Sequence, residues 1–231
     1  MTVSAGVHGM AQAGGAATVV TTPARATTSG STIVLGVIAD NTFSSVTDSV
    51  GGHTWTQRGT TLTSGGVTFR VYVAENITGN ASHTFSANFS DSGSCSIWMV
   101  EVLGARASSA FDQANQQVDA SEPWTSGGVT TTFDDDMLVG FYGAPATTGA
   151  VSASDANGAT LADQGSGSAT LYGGASFYRV LSATGAYDVS VSDTGAETIG
   201  MITVATIKGI ESVGPVGPPS ILASIVREVA A

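Results

Sequence analysis

Apolar and polar residues alternate along much of this chain. Val71 and Val73 alternate with Arg70, Tyr72 and Ala74, Phe85, Ala87 and Phe89 with Thr84, Ser86 and Asn88, and Val189 and Val191 with Asp188, Ser190 and Ser192. A period of two predicts strands with one dry face. The runs Ile33 to Ala39 and Ile97 to Leu103 are almost continuously apolar, as central strands covered on both sides should be. Turn signals separate these segments: Gly51-Gly52, Ser64-Gly65-Gly66, Gly79-Asn80, Asp91-Ser92-Gly93, Asn157-Gly158, Gly173-Gly174 and Asp193-Thr194-Gly195. Between residues 30 and 209 no segment carries a helical stripe. Short strands with turns every 8–12 residues predict an all-β antiparallel β-sandwich, either jelly-roll-like or a pair of tandem Ig-like units.

The segments recur in order. Thr32–Ala39 is similar to Met137–Gly143, with Gly36 opposite Gly140, and Val71–Gly79 is similar to Phe177–Gly185. His83–Asp91 is similar to Tyr187–Asp193, and Ile97–Gly104 to Ile202–Gly209, always at a spacing near 105. Two pseudo-repeats are therefore expected, over 1–104 and 105–209. The polar stretch 105–127, with Gln113, Asn115, Gln116 and Gln117, mirrors the stretch that leads into the first. No exposed Pro/Gly linker parts the halves, which favours one compact body. Residues 210–231 differ in character. Gly214-Pro215-Val216-Gly217-Pro218-Pro219 reads as an extended spacer. Ser220 would then cap a short helix whose one face carries Ile221, Leu222, Ile225, Val226 and Val229. So short a helix is not stable alone in water, so its stripe must dock on this body or on a partner.

Composition narrows the function. Charged residues make up 11% of the chain, against about 25% in an ordinary globular domain, so Ser, Thr, Asn and Gly must cover the surface. The net charge is −11, with one lysine, Lys208, and six scattered arginines. Nucleic-acid binding requires a basic footprint, and none is present. No apolar run is long enough to span a membrane as a helix. The N-terminal residues Met1–Gly6 lack a charged and apolar signal pattern, so synthesis in a cytoplasm is expected. Cys95 is the single cysteine, and Ser neighbours beside an apolar run make it a small core residue.

Catalytic chemistry finds little purchase. His8, His53 and His83 form no metal-ligand spacing, and His53 and His83 read as structural. Asp134-Asp135-Asp136 reads as a solvated turn, and Asp91 and Asp193 as turn formers. Glu75, Glu101, Glu122 and Glu197 contain no pair with a defined separation. Glu101, inside an apolar strand, is expected at a sheet edge or paired with an arginine. No nucleophile elbow, phosphate loop or dinucleotide fingerprint occurs. No enzyme activity, catalytic residue, cofactor or metal is expected. Trp124, after Glu122-Pro123 in the connector, is expected to be exposed, and with Tyr72 it is a candidate for stacking on a sugar.

Asp48–Trp55, Phe69–Ile77 and Glu101–Gly104 resemble a β-domain found in bacteriophage virion proteins and bacterial surface proteins. The resemblance implies a decoration, fibre or adhesive module and carries over no functional residue. With no export signal, the virion side is favoured. The expectation is a capsid decoration (cement) or fibre-like protein, a homotrimer docking on other virion proteins, above all the major capsid protein. The alternative is a carbohydrate-binding or adhesive module of a phage tail or cell surface.

Overall fold

The computed structural model describes residues 2–145, 153–168, 171–193 and 199–210. They are built from sixteen strands: β1 (Ser4–Thr21), β2 (Thr32–Ala39), β3 (Phe43–Asp48), β4 (Thr56–Ser64), β5 (Val67–Ala74), β6 (Phe85–Leu103), β7 (Phe111–Asp119), β8 (Trp124–Thr125), β9 (Val129–Thr130), β10 (Asp136–Ala144), β11 (Ala153–Asp155), β12 (Thr160–Gly165), β13 (Gly173–Leu181), β14 (Ala186–Tyr187), β15 (Ser190–Asp193) and β16 (Gly200–Ile207). All paired strands are antiparallel. The docking stripe Ile221, Leu222, Ile225, Val226 and Val229 lies outside the described residues.

Two five-strand arrays form the middle of the protein. Their orders are β1-β6-β2-β5-β4 and β12-β13-β10-β16-β7. Each has a central strand, β2 or β10, that is apolar after its first residue and buried along its whole length. Alternation puts its two sets of side chains into different cores. Val34 and Ile38 of β2 meet Met137, Val139 and Phe141 of β10 in the core between the arrays, with Phe69, Trp98 and Val100. Ile33, Leu35, Val37 and Ala39 point the other way, into a core closed by Val20, Val46, Phe85, Ala87 and Phe89. Leu138, Tyr142 and Ala144 fill the corresponding core of the second half, with Trp124, Val189 and Val191. Four layers thus enclose three cores.

The first half reaches its outer layer with two long strands. β6 runs for 19 residues and β1 for 18, and each serves both layers. β3 pairs with the early part of β6, and Val20 and Thr21 of β1 flank it on the other side. Asp91-Ser92-Gly93, expected to be a turn between two strands, lies inside β6. The bend is held by side chains, with the Asp91 carboxylate accepting from Thr42 N–H and hydroxyl, and that of Asp40 from Ser94 N–H at 2.7 Å. In the second half the outer layer consists of separate short strands, β11-β15-β8.

The polar stretches before each central strand are also strands. β1 and β7 are edge strands, held by ladders to β6 and β16 rather than by an apolar pattern. At one end of the body three chain passages meet. A Cβ on Gly209 would touch Val3 Cγ1 at 3.0 Å, Ala105 bridges to Gly209, and Ile210 N–H donates to the Gly104 carbonyl.

Candidate functional site

The densest grouping of titratable side chains lies where the β3–β4, β5–β6 and β1–β2 connections converge. Asp48 ends β3, His53 sits in the loop that follows, and His83 precedes β6. The Asp48 carboxylate is 2% exposed and collects five donors. Oδ1 accepts from Val50 N–H (3.0 Å) and Gly51 N–H (2.8 Å) and faces His83 Nε2 at 3.1 Å. Oδ2 faces His53 Nδ1 at 3.1 Å and accepts from Trp55 Nε1 at 3.3 Å. Burial alone would raise this carboxyl, but the His83, Gly51 and His53 hydrogen bonds outweigh it and hold Asp48 at about 2.

Asp48, His53 and His83 place potential ligand atoms within 4.8 Å of one another, which raises the question of a metal ion. The hydrogen bonds argue against one. His53 Nε2 lies 2.9 Å from the Thr78 backbone N–H, which can only donate. The Nε2 lone pair is therefore engaged, and Nδ1 carries the proton directed at Asp48. A ring in this tautomer has no Nδ1 lone pair for a metal. His83, fully buried, spans Asp48 and the Thr27 hydroxyl, 2.8 Å from its Nδ1. That hydroxyl also accepts from Asn80 N–H. The cluster acts as a clamp that ties three connections to one ionised carboxylate.

A shallow groove of about 350 Å³ borders the clamp, lined by Gly52, His53, Thr54, Thr56, Arg58 and Glu75 among others. Its charges face each other. Arg58 Nη2 is 3.5 Å from Glu75 Oε1 and its guanidinium lies 4.2 Å over the Phe111 ring, while Glu75 also accepts from Phe111 N–H. The groove thus joins β4 and β5 to β7 with its own polar groups.

The other singled-out residues fall as follows. Trp124 is 1% exposed, stacked on Tyr142 at 5.0 Å with 11° between the planes. Tyr72 is 7% exposed, stacked on Phe43 at 5.1 Å, with its hydroxyl donating to Gln57. Neither ring offers an open face to a sugar, so the expected stacking platform is corrected. Trp124 is drawn inside because β8 pairs with β15. Glu101 is neither at an edge nor paired with an arginine. It is buried in the inner strand β6 and accepts from Val7 N–H (3.0 Å), Thr28 N–H (2.7 Å) and the Ser31 hydroxyl (2.8 Å). Glu122 accepts from Asp193 N–H, and Glu197 lies outside the described residues. His8 pairs with Asp163 across the two halves at 2.6 Å. Cys95 is buried, and its thiol is pushed up to about 11 by burial and by Asp40.

The solvated turn expected at residues 134–136 is overturned at Asp136, which is fully buried at the start of β10. Neither of its oxygens meets a donor. Burial and the neighbouring Asp112 carboxylate push it up to about 7, against the pull of Lys208 and Arg106. Only as the protonated acid can it hydrogen-bond to Asp112, whose own oxygens accept from Thr132 N–H and hydroxyl. Sequence inspection had no signal for this pair, because residues 112 and 136 are brought together only by the folding of β7 and β10. No family model, no curated protein and no solved structure matches this chain.

Proposed function

We propose that this protein is a non-enzymatic structural component of a virion, a decoration or fibre-like protein that sits on a protein lattice. The observation that supports this reading best is the inward use of its polar chemistry. Asp48, His53, His83, Glu75 and Glu101 all hold the protein's own connections and strands together. What remains outside, among the described residues, is largely Ser, Thr, Gly and Ala on a β body. Such a body stabilises a lattice by being bound to it, through mass action.

In this reading the body is a duplication. Val34 pairs with Val73 and Val100, and adding 105 to each number gives Val139, paired with Tyr178 and Ala205. The strand orders support it: β7, β16, β10, β13 and β12 follow one another as β1, β6, β2, β5 and β4 do. The segment 211–231 is the docking device, and the threefold self-association expected above runs through it.

The test is sizing by light scattering of the full chain beside a chain ending at Ile210. An oligomeric full chain with a folded, monomeric truncation is the expected result. Identical monomers in both samples would exclude self-assembly through the tail and remove the fibre-like version of the proposal.

A further inference from the structure

The two arrays touch in a reciprocal way. The β1 edge of the first lies along β12 of the second, and β4 of the first lies along β7 of the second. At one seam the Gln12 amide reaches across β12 and donates to the Ser166 (3.0 Å) and Tyr172 (2.6 Å) carbonyls, beside Gly165. At the other the Gln116 amide reaches across β4 and donates to the carbonyl and hydroxyl of Thr60, beside Gly59. Met10 and Gln116 sit at corresponding places in β1 and β7, paired with Trp98 and with Thr203, 105 residues on, and they meet Gly165 of β12 and Gly59 of β4. A strand that touches another while the counterparts of the two touch in return is the signature of an isologous, two-fold interface.

On the axis of such an interface, equivalent residues must face each other. Under the spacing of 105, Gly36 corresponds to Phe141 and Ile38 to Gly143, and both pairs touch. A Cβ on Gly36 would stand 2.7 Å from the Phe141 ring, and one on Gly143 would stand 2.8 Å from Ile38 Cδ1. Each pair is a large side chain seated on a glycine. Two first halves brought together would set Ile38 against Ile38 and leave a hole at Gly36. Two second halves would set Phe141 against Phe141. Overpacking and cavities both cost stability in a close-packed core.

We propose that the face of β2, β5 and β6 that meets the second half is a self-contained docking surface. Its partner is the β10, β13 and β16 face of a second half, and the two knob-on-glycine pairs make it reject another first half. The connector at 107–109, exposed at each residue, then serves to tether the halves rather than to build the interface. This inference rests on the duplication and not on the lattice role, which the tail experiment tests separately.

The experiment inserts a specific protease site between Ser108 and Ser109 of the full chain and cuts the folded protein. The cut sample is expected to keep the mass of the uncut one in light scattering. After denaturation and dilution, native mass spectrometry is expected to find one first half with one second half. Fragments that separate, that fail to find each other again, or that pair with their own kind overturn the proposal. A second arm exchanges knob and hole. Gly36→Phe and Phe141→Gly are each expected to reduce the folded-to-unfolded ratio by roughly a hundredfold or more, as overpacking and cavity formation do. The double variant is expected to recover at least tenfold of that loss. A double variant as poor as the product of the singles refutes the two-fold axis at this pair.

Discussion

Asp136 offers a quantitative test of the way this protein buries charge. Its carboxyl is fully buried at the head of β10 and is held at about 7 by burial and by Asp112, against an ordinary value of 3.8. Between those two values the folded protein keeps a proton that the unfolded chain has released. Stability therefore falls as pH rises through this window, and the loss is complete above about 7. At about 1.4 kcal/mol per pH unit the whole window is worth about 4 kcal/mol, of which about 3 kcal/mol falls between pH 5 and pH 8. The groups facing it are Asp112 on β7, Lys208 beyond β16 and Arg106 in the connector. Asp136→Asn mimics the protonated acid, since its amide can donate to Asp112 without carrying charge. Urea unfolding at pH 5 and pH 8 should show the native chain losing about 3 kcal/mol and the variant losing much less, so that the variant is the more stable at pH 8. Equal pH slopes for both proteins would show that Asp136 is ionised at neutral pH in the folded state, and the argument from burial would fail.

Other predictions are independent of this one. Asp48→Ala removes one acceptor from five donors and should cost about 3–5 kcal/mol in chemical unfolding, with the β3–β4 loop the first segment to lose hydrogen-exchange protection. Because Asp48 is held at about 2, its contribution of about 2 kcal/mol is present above pH 3.8 and is lost as pH falls through 2, which acid titration of the unfolding midpoint will read. Gly140→Ala places a Cβ 2.6 Å from Val189 Cγ2 and should destabilise by about 1–3 kcal/mol, measured by thermal unfolding. Cys95, buried with its thiol at about 11, should resist a thiol reagent at pH 8 in the folded protein and react at once in denaturant.

The hydrophobic pattern exposed the central strands and the all-β class, because β2 and β10 are buried on both faces and their sequences record it directly. It was less informative at the edges. β1 and β7 are half-buried and rich in Ala, Gly, Asn and Gln, so the ladder to a neighbour holds them and period two barely shows. Gly36 and Gly140, set opposite each other in the sequence comparison, do not share an environment. Gly36 faces Phe141 between the arrays, whereas Gly140 faces Val189 in an outer core. A single residue of slip changes the face, and apolar runs buried on both sides give no warning of it. The Asp48 clamp was partly visible, in that both histidines read as structural. That they share a single carboxylate depends on loops 30 residues apart meeting, which local pattern does not encode. Trp124 was misjudged because a polar connector was taken to be a solvent-exposed one.

The meeting of Val3, Gly104 and Gly209 at one end gives the body a handle and a free head. Ile210, the last described residue, lies at the handle, its N–H on the Gly104 carbonyl. The head, where the Ser64–Val67 turn joins β4 to β5 and Gly65 and Gly66 have φ of 58° and 86°, points the opposite way. A peptide inserted between Gly65 and Gly66 would be presented outward from whatever surface holds the handle. A pull on Val3 and Ile210 would act on that end, opening β1 from β6 one hydrogen bond at a time instead of shearing the ladder as a whole.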